Sequence, residues 1–315
     1  QTIVEATLTE GNVFEVTSLY EVNFMDLAVR NTGTVGRTIS FTSGENHSME
    51  NMRLESKAGN SSDMVYFIGA FTEILNNVFV NNEPTSYTIR ATSKPSQLNI
   101  NSKIMDNDFG GPGKGIIVDA DPGTRPEGIK ISRNNSILTG AEQITIKTVL
   151  HADISNNMLD QGSGAIILLD PEGLAVNGVF IEGNYLSAAQ NLQEGIGIHA
   201  PADPDGVLNV VISNNMFAYN GYGVVFHANS GNVNISDNIF SDLHTGVKLD
   251  QTRRSTVKGN IFQMVTSSLY VADGQNGGPF LIKDNHLEGN NTIVKTDKKK
   301  FIVADNFGLD KKEKN

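Results

Sequence analysis

The sequence predicts an all-β solenoid, a single chain wound into about 11–12 stacked rungs of parallel strands. Three observations predict it. A six-residue unit recurs, most regularly at Ile154-Ser-Asn-Asn157-Met-Leu159, Ile181-Glu-Gly-Asn184-Tyr-Leu186, Ile212-Ser-Asn-Asn215-Met-Phe217 and Ile235-Ser-Asp-Asn238-Ile-Phe240. Between copies lie short alternating runs that open on a small residue, such as Gly195-Ile-Gly-Ile-His199, Gly223-Val-Val-Phe-His227 and Gly246-Val-Lys-Leu-Asp250. Nowhere does an apolar period of 3.6 residues persist beyond two turns, so helices are expected to be nearly absent. A unit this short cannot bury its own apolar face, and stacking on the next copy does it instead.

Taken in order, the first copies carry Met in place of Asn: Val22…Met25…Leu27 and Met49…Met52…Leu54. Ile74…Asn77…Phe79 and Ile104…Asn107…Phe109 follow, then an irregular Ile131…Asn134. The four regular copies come next, and Val257…Asn260…Phe262, Ile282…Asn285…Leu287 and a degenerate Val303…Asn306 close the series. The mean repeat is about 25 residues. In each copy the flanking apolar residues should point inward, with the Asn at the corner between strands, bonded to its own turn and to the Asn of the next rung. Asn77, Asn107, Asn157, Asn184, Asn215, Asn238, Asn260 and Asn285 should therefore stack near one corner. No linker or change of composition divides the series, so residues 1–309 read as one domain and 310–315 as a charged tail. The chain opens inside strand-like sequence (Thr2 to Leu8), as a piece of a longer protein would.

Composition agrees with short strands and many turns: the 315 residues include 31 Gly, no Trp and no Cys, and only 19 % are charged. A net charge of −11 argues against a nucleic-acid backbone or an anionic membrane as partner. No apolar run reaches the roughly 18 residues of a membrane-inserted helix. Without Cys there are no disulfides or thiolate metal sites, and the six His lack the spacing of a zinc site, so no metal or cofactor is expected. Gly110 to Gly115 lacks the Lys-Ser/Thr of a phosphate loop, and neither a Ser-His-Asp arrangement nor His-Glu-x-x-His occurs.

Candidate chemistry lies on the strand before each Asn unit. Aligning its inward residues as Ile89, Val118, Ile146, Leu169, Ile198, Phe226, Leu249 and Val271 makes the next residue of each point outward. The outward column then reads Arg90, Asp119, Lys147, Asp170, His199, His227, Asp250, Ala272. Alternating charges of this kind also serve a parallel sheet as a plain salt-bridge ladder. The neighbours His199 and His227, flanked by Asp170 and Asp250, read instead as a pair titrating near neutral pH, each His oriented by its carboxylate. Further acids gather where the strand ends: Asp121, Glu172, Glu194, Asp203 and Asp205. Turn chemistry alone favours Asp-Pro-Glu-Gly and Asp-Pro-Asp-Gly. Paired carboxylates are equally what glycoside hydrolysis requires, one to protonate the leaving oxygen and one to activate water or attack. Asp170, Glu172, His199 and Asp250 are the catalytic candidates, with Asp119, Lys147, His227, Glu194, Asp203, Asp205, Tyr222 and Tyr270 as substrate contacts. Two residues before the column, Ile117, Leu168, Val225 and Tyr270 form an apolar outward strip, expected to be covered by loops, a sugar face or another subunit.

The repeated Ile-x-x-Asn-x-Phe turns with Gly-Ile-x-Val strands resemble the right-handed parallel β-helix of the pectin lyase-like superfamily. The likeness covers nearly the whole chain. Within that superfamily the Cys-free, loop-varied rungs are most similar to bacteriophage tailspikes and tail appendages, although Asp170-Pro171-Glu172 and Asp121-Pro122-Gly123 keep part of the epimerases' Asp-Pro-His-Glu. The resemblance implies recognition and hydrolytic depolymerisation of a bacterial surface polysaccharide, capsule or O-antigen. It also implies a homotrimer and a place on a virion tail or outside the cell. Three alternatives stay open: a glycan-binding adhesin, a structural shaft, and a lyase or epimerase using Lys147 or His199 as base on a uronate.

Overall fold

A computed structural model describes residues 2–138, 140, 142–160, 164–187, 195–273, 277–294 and 297–308. The 310–315 tail lies outside the described residues. The chain forms a right-handed parallel solenoid of about 11 turns. Three sheets of 11, 12 and 12 strands run its length, and each strand pairs in parallel with its counterpart one rung away. The first sheet begins with Thr2–Ala6, the second with Phe14–Val16 and the third with Asn23–Met25. The one helical element described is a single turn, Lys298–Lys300.

The third sheet hands over to the first at a corner built the same way in every rung. The residue before the Asn position is left-handed: φ is +54° at Asn76, +59° at Asp106, +54° at Arg133, +56° at Asn156 and +58° at Asp237. Asn and Asp tolerate this region best among residues with a Cβ. Gly183, at φ +68°, holds the position where an added Cβ would sit 2.7 Å from Asn156 Oδ1. Just past this residue the Asn side chain turns inward. Each Asn Oδ1 accepts from the backbone N–H and side-chain Nδ2 of the Asn one rung earlier, as Asn215 does from Asn184 at 2.9 and 3.0 Å. Its Nδ2 donates to a carbonyl near the end of the third-sheet strand one rung earlier, Ile181 for Asn215 at 2.8 Å. The ladder runs unbroken from Asn77 to Asn306. Asn134 and Asn306, which read as irregular and degenerate, are full members, and the eight Asn expected at the corner all stand there.

Inside the coil, like residues stack. Phe217, Phe240 and Phe262 lie ring on ring at centroid distances of 4.7 Å and interplanar angles of 7°. Gly223 and Gly246 stand against those rings, and a Cβ would come within 2.6 Å of Phe240 and 2.4 Å of Phe262. That explains the small residue opening the runs at Gly223 and Gly246, and in the run from 195 to 199 it is Gly197 that stands against Phe217. Ser136 breaks the apolar column between Phe109 and Leu159. A void of about 10 Å³ is left there, lined also by Gln143.

The first rung departs from the expected frame. In the first rung the corner is Asp26, at φ +58°, so the unit is Phe24…Leu27…Val29 rather than Val22…Met25…Leu27. Met25 is accordingly 49 % exposed. Three apolar residues with period two fit either frame, and only the left-handed Asp fixes the choice.

Replacing Asn215 with Leu removes the acceptor for Asn184 and the donor to Ile181, leaving buried backbone groups unpaired. About 1–3 kcal/mol per orphaned group is expected. Thermal unfolding should show a fall in Tm of several degrees for Asn215→Leu, and a near-parental Tm for Asn214→Gly, which keeps the ladder and the left-handed corner.

Candidate functional site

The outer face of the second sheet collects the chemistry. Register there is fixed by the paired strands Tyr87–Ser93, Lys114–Ala120, Ile144–Ile146, Ala165–Leu169, Ile196–Ala200, Tyr222–Phe226 and Thr245–Asp250. One outward column runs Asp119, Lys147, Asp170, Pro201, His227, Asp250, each one residue beyond the inward Val118, Ile146, Leu169, Ala200, Phe226 and Leu249. The neighbouring column runs Tyr66, Arg90, Ile117, Thr145, Leu168, His199, Val225, Lys248, Tyr270.

Two of the expected column members therefore belong next door. Arg90 aligns with Ile117 and His199 with Leu168, because the inward residues of those rungs are Ala91 and Ala200, not Ile89 and Ile198. Both alanines are fully buried. His199 still meets His227 diagonally, with ring centroids 5.8 Å apart at 74°. Ile117, Leu168, Val225 and Tyr270 do share one column, and of the covers expected for that strip part comes from the chain itself. Ile117 and Val225 are 1 % and 4 % exposed, so the chain already covers them.

The carboxylates differ sharply in their surroundings. Asp119 is held by Arg90 and by the Thr92 hydroxyl, and Arg90 also binds Asp63. Lys147 Nζ lies 2.5 Å from Glu172 Oε2. That contact holds the Glu172 carboxyl below its ordinary range and raises the Lys147 ammonium. Burial pushes the Asp170 carboxyl up; Lys147 opposes this, while Asp203, Glu172 and Glu142 add to it. Asp203 Oδ1 accepts from the Asp205 backbone N–H at 2.8 Å, and Asp205 Oδ2 from that of Gly173 at 2.7 Å. Those two acids thus brace the loops around Asp170. Glu194 lies outside the described residues.

The histidines do not behave as a charged pair. Burial, then His227 and Lys248, lower the His199 pKa to about 4. His227 is also lowered by burial and Lys248, though Asp250 Oδ2, 3.7 Å from its Nδ1, pulls the other way. Asp170 is Lys147's neighbour, so the carboxylate expected beside His199 is absent from its causes of shift. Tyr222 packs edge-on against His244 at 6.1 Å, and Lys248 Nζ stands 5.8 Å from the Tyr270 ring centre. Sequence reading missed Lys248 and Glu142. Lys248 was legible in Gly246-Val-Lys-Leu-Asp250 as the outward residue two before Asp250, whereas Glu142 sits in a connection with no repeat to align it. Among the described residues, no group of three or more His, Asp or Glu is arranged to hold a metal ion.

A family model described as a right handed beta helix region matches residues 142–307. Among curated proteins, none matches the chain. Solved structures with a similar fold include a mannuronic acid-specific family 6 polysaccharide lyase from the human gut microbiota. Its TM-score is 0.58 at 14 % identity, over 90 % of this chain and 74 % of that one. PfbA, a surface adhesin of Streptococcus pneumoniae, gives a TM-score of 0.57 at 14 % identity, over 91 % of this chain and 80 % of the adhesin. A mutant tailspike of the E. coli bacteriophage HK620, in complex with a pentasaccharide, gives 0.50 at 13 % identity, over 90 % of this chain and 62 % of the tailspike. At such identities the likeness is one of fold.

Lowered histidine pKa values make stability pH-dependent. Between the ordinary value of 6.5 and about 4, the unfolded chain takes up protons that folded His199 refuses, so stability falls as pH falls through that window. The raised Asp170 has the opposite slope in its own range. Denaturation midpoints measured from pH 7 to 4 should fall more steeply for the parent than for His199→Asn.

Proposed function

The chain belongs to the right-handed β-helix family, and from that premise we propose that it binds and hydrolytically cleaves a bacterial surface polysaccharide, capsule or O-antigen. The glycan lies along the outer face of the second sheet. One observation carries the reading. Asp170 and Glu172, two residues apart at the end of one strand, have environments that drive their carboxyls in opposite directions. A carboxyl whose hold on its proton is strengthened, beside a carboxylate whose hold is weakened, is the direction of separation glycoside hydrolysis uses. In this mechanism Asp170 protonates the leaving glycosidic oxygen, and Glu172, oriented by Lys147, activates water. His227, Asp250 and Lys248 bind sugar hydroxyls, and Tyr222 and Tyr270 offer apolar faces to the rings. From Lys147 to Asp250 the column spans four rung steps, about 19 Å, enough for three or four sugar residues. Support comes from the fold's neighbours: one is a polysaccharide lyase and one is a tailspike holding a pentasaccharide.

β-Elimination on a uronate is the second reading, and His199 favours it: neutral at physiological pH, it is free to accept a proton. Lys147, raised by Glu172, is charged and unsuited to be the base. Asp170→Asn should lower reducing-end release from purified capsule or O-antigen by about 10²–10⁴-fold with binding retained, the span of a general acid's contribution. Unchanged cleavage by Asp170→Asn would remove it from the acid role. Unsaturated, ultraviolet-absorbing products abolished by His199→Asn would establish the elimination, and binding with no product at all would make the protein an adhesin.

Assembly as a homotrimer, on a virion tail or outside the cell, is part of the same proposal, with the contact on the first sheet. There Met158, Tyr185, Met216, Ile239 and Ile261 stack on consecutive rungs. Met158, Met216, Ile239 and Ile261 are each 39–47 % exposed. Beside them run Ser187, Ala218 and Ser241, so this face of an acidic chain carries no charge over three rungs and lets like copies approach. Sedimentation velocity should give a trimer for the parent and a monomer for Met216→Lys/Ile239→Lys. A parental monomer at micromolar concentration would refute it.

A further inference from the structure

A recess opens on the same sheet toward the N-terminal end. It holds about 360 Å³, and its lining includes Arg37, Tyr66, Arg90, Lys94 and Asp121. Tyr66 occupies the outward column beside Arg90, yet is only 6 % exposed, because two cations cover it. The Arg37 guanidinium carbon is 3.9 Å from the centre of the Tyr66 ring, and Lys94 Nζ is 5.8 Å from it. Lys94 is fixed in place by a tight antiparallel backbone pair with Gln97, 2.9 Å in both directions, and Gln97 Nε2 binds the Gly44 carbonyl at 2.5 Å.

The charges in the recess are unequally committed. Arg90 takes up the carboxylates of both Asp63 and Asp119, and Asp63 also accepts from the Tyr87 backbone N–H. Among the described residues, Arg37 and Lys94 form no ion pair with a carboxylate; the face of Tyr66 is what holds them. With Asp63 and Asp119 drawn onto Arg90, Asp121 is the one remaining carboxylate of the lining against two cations held side by side over one ring, an anion-binding arrangement in a concave site. Arg37 offers a planar fork matched to a carboxylate, and Lys94 a point charge at its edge.

We propose that this recess binds a carboxylate-bearing sugar residue, a uronate or similar acidic unit, of the polysaccharide that lies on the second sheet. The inference rests on the glycan-binding reading and adds to it that the polymer is acidic. From the rung of Tyr66 to that of Asp170 there are four steps, about 19 Å, so the acidic unit sits about three or four sugars from the scissile bond. Register between the acidic units of the polymer and the Asp170 site is thereby set at a distance.

The test uses the full chain and two monosaccharide probes, methyl glucuronide and methyl glucoside, with backbone amide chemical shifts as readout. Methyl glucuronide should shift Tyr66, Arg90 and Lys94 with saturable, salt-weakened binding, and methyl glucoside should not. Arg37→Gln/Lys94→Gln should weaken the acid sugar by about tenfold or more, the loss of a charge-assisted hydrogen bond. Asp170→Asn should leave that affinity unchanged, so failure at the cleavage site and failure at the recess are told apart. Equal binding of both probes, shifts confined to the Asp170–Asp250 face, or affinity unaltered in a double variant with parental Tm would each overturn the proposal.

Discussion

Everything about this molecule depends on one corner hydrogen bond, the inward Asn that ties each rung to the next. A solenoid's strands are short, and a rung alone pairs too few backbone groups to be stable. At the corner the chain turns through a left-handed residue and its peptide groups leave the ladder of both sheets. The Asn side chain accepts from and donates to the backbone of the rung before it, and donates to the Asn of the rung after it, so the corner is satisfied inside the coil without water. Each Asn reaches the backbone of the rung before it whether that rung carries Asn or, as at Met52, does not, and Asn in consecutive rungs adds a side-chain bond between them. The ladder is thus a register device: it fixes which residue of each rung faces which.

Register in turn decides what the outer face can do. Side chains alternate along a strand, so a shift by two keeps a residue outward but moves it to another column. His199 was moved in this way, and with it the notion of a carboxylate-clamped histidine pair. Asp170 stands instead beside Lys147, which also holds Glu172. Burial and the neighbouring acids then separate two carboxyls that are chemically alike. No single residue type supplies the site; the spacing of rungs does.

Most of the fold was legible because the corner writes itself into the sequence. An inward apolar residue, a left-handed Asn, Asp or Gly, and an inward Asn leave a signature at Asn77, Asn107 and their counterparts that no helix or two-layer sheet would produce. It faded where the inward residue was small. Ala91 and Ala200 are as buried as Ile or Phe in neighbouring rungs, but alanine is ambiguous, so the sequence favours Ile89 and Ile198 as the inward residues. In the first rung, apolar residues at alternate positions fitted two frames. Of the site, the charged residues were found from alternation alone. Which were already committed was not: that Arg90 takes up Asp119 and Asp63, or that Asp203 and Asp205 brace backbone turns, depends on loop paths that repeat spacing does not encode. The Arg37–Tyr66–Lys94 recess joins residues of three different rungs and has no sequence pattern of its own.

The claim that unites these observations is that the outer face of the second sheet is the glycan surface, with the first sheet turned to other copies. A crystal structure of the protein with an oligosaccharide released from its target capsule or O-antigen tests it most directly. Sugar lying across the rungs of Lys147, Asp170, His227 and Asp250, with a glycosidic oxygen within hydrogen-bonding reach of Asp170, is the predicted result. Sugar bound along Met158, Met216 and Ile239 of the first sheet, with the second-sheet face empty, would contradict it.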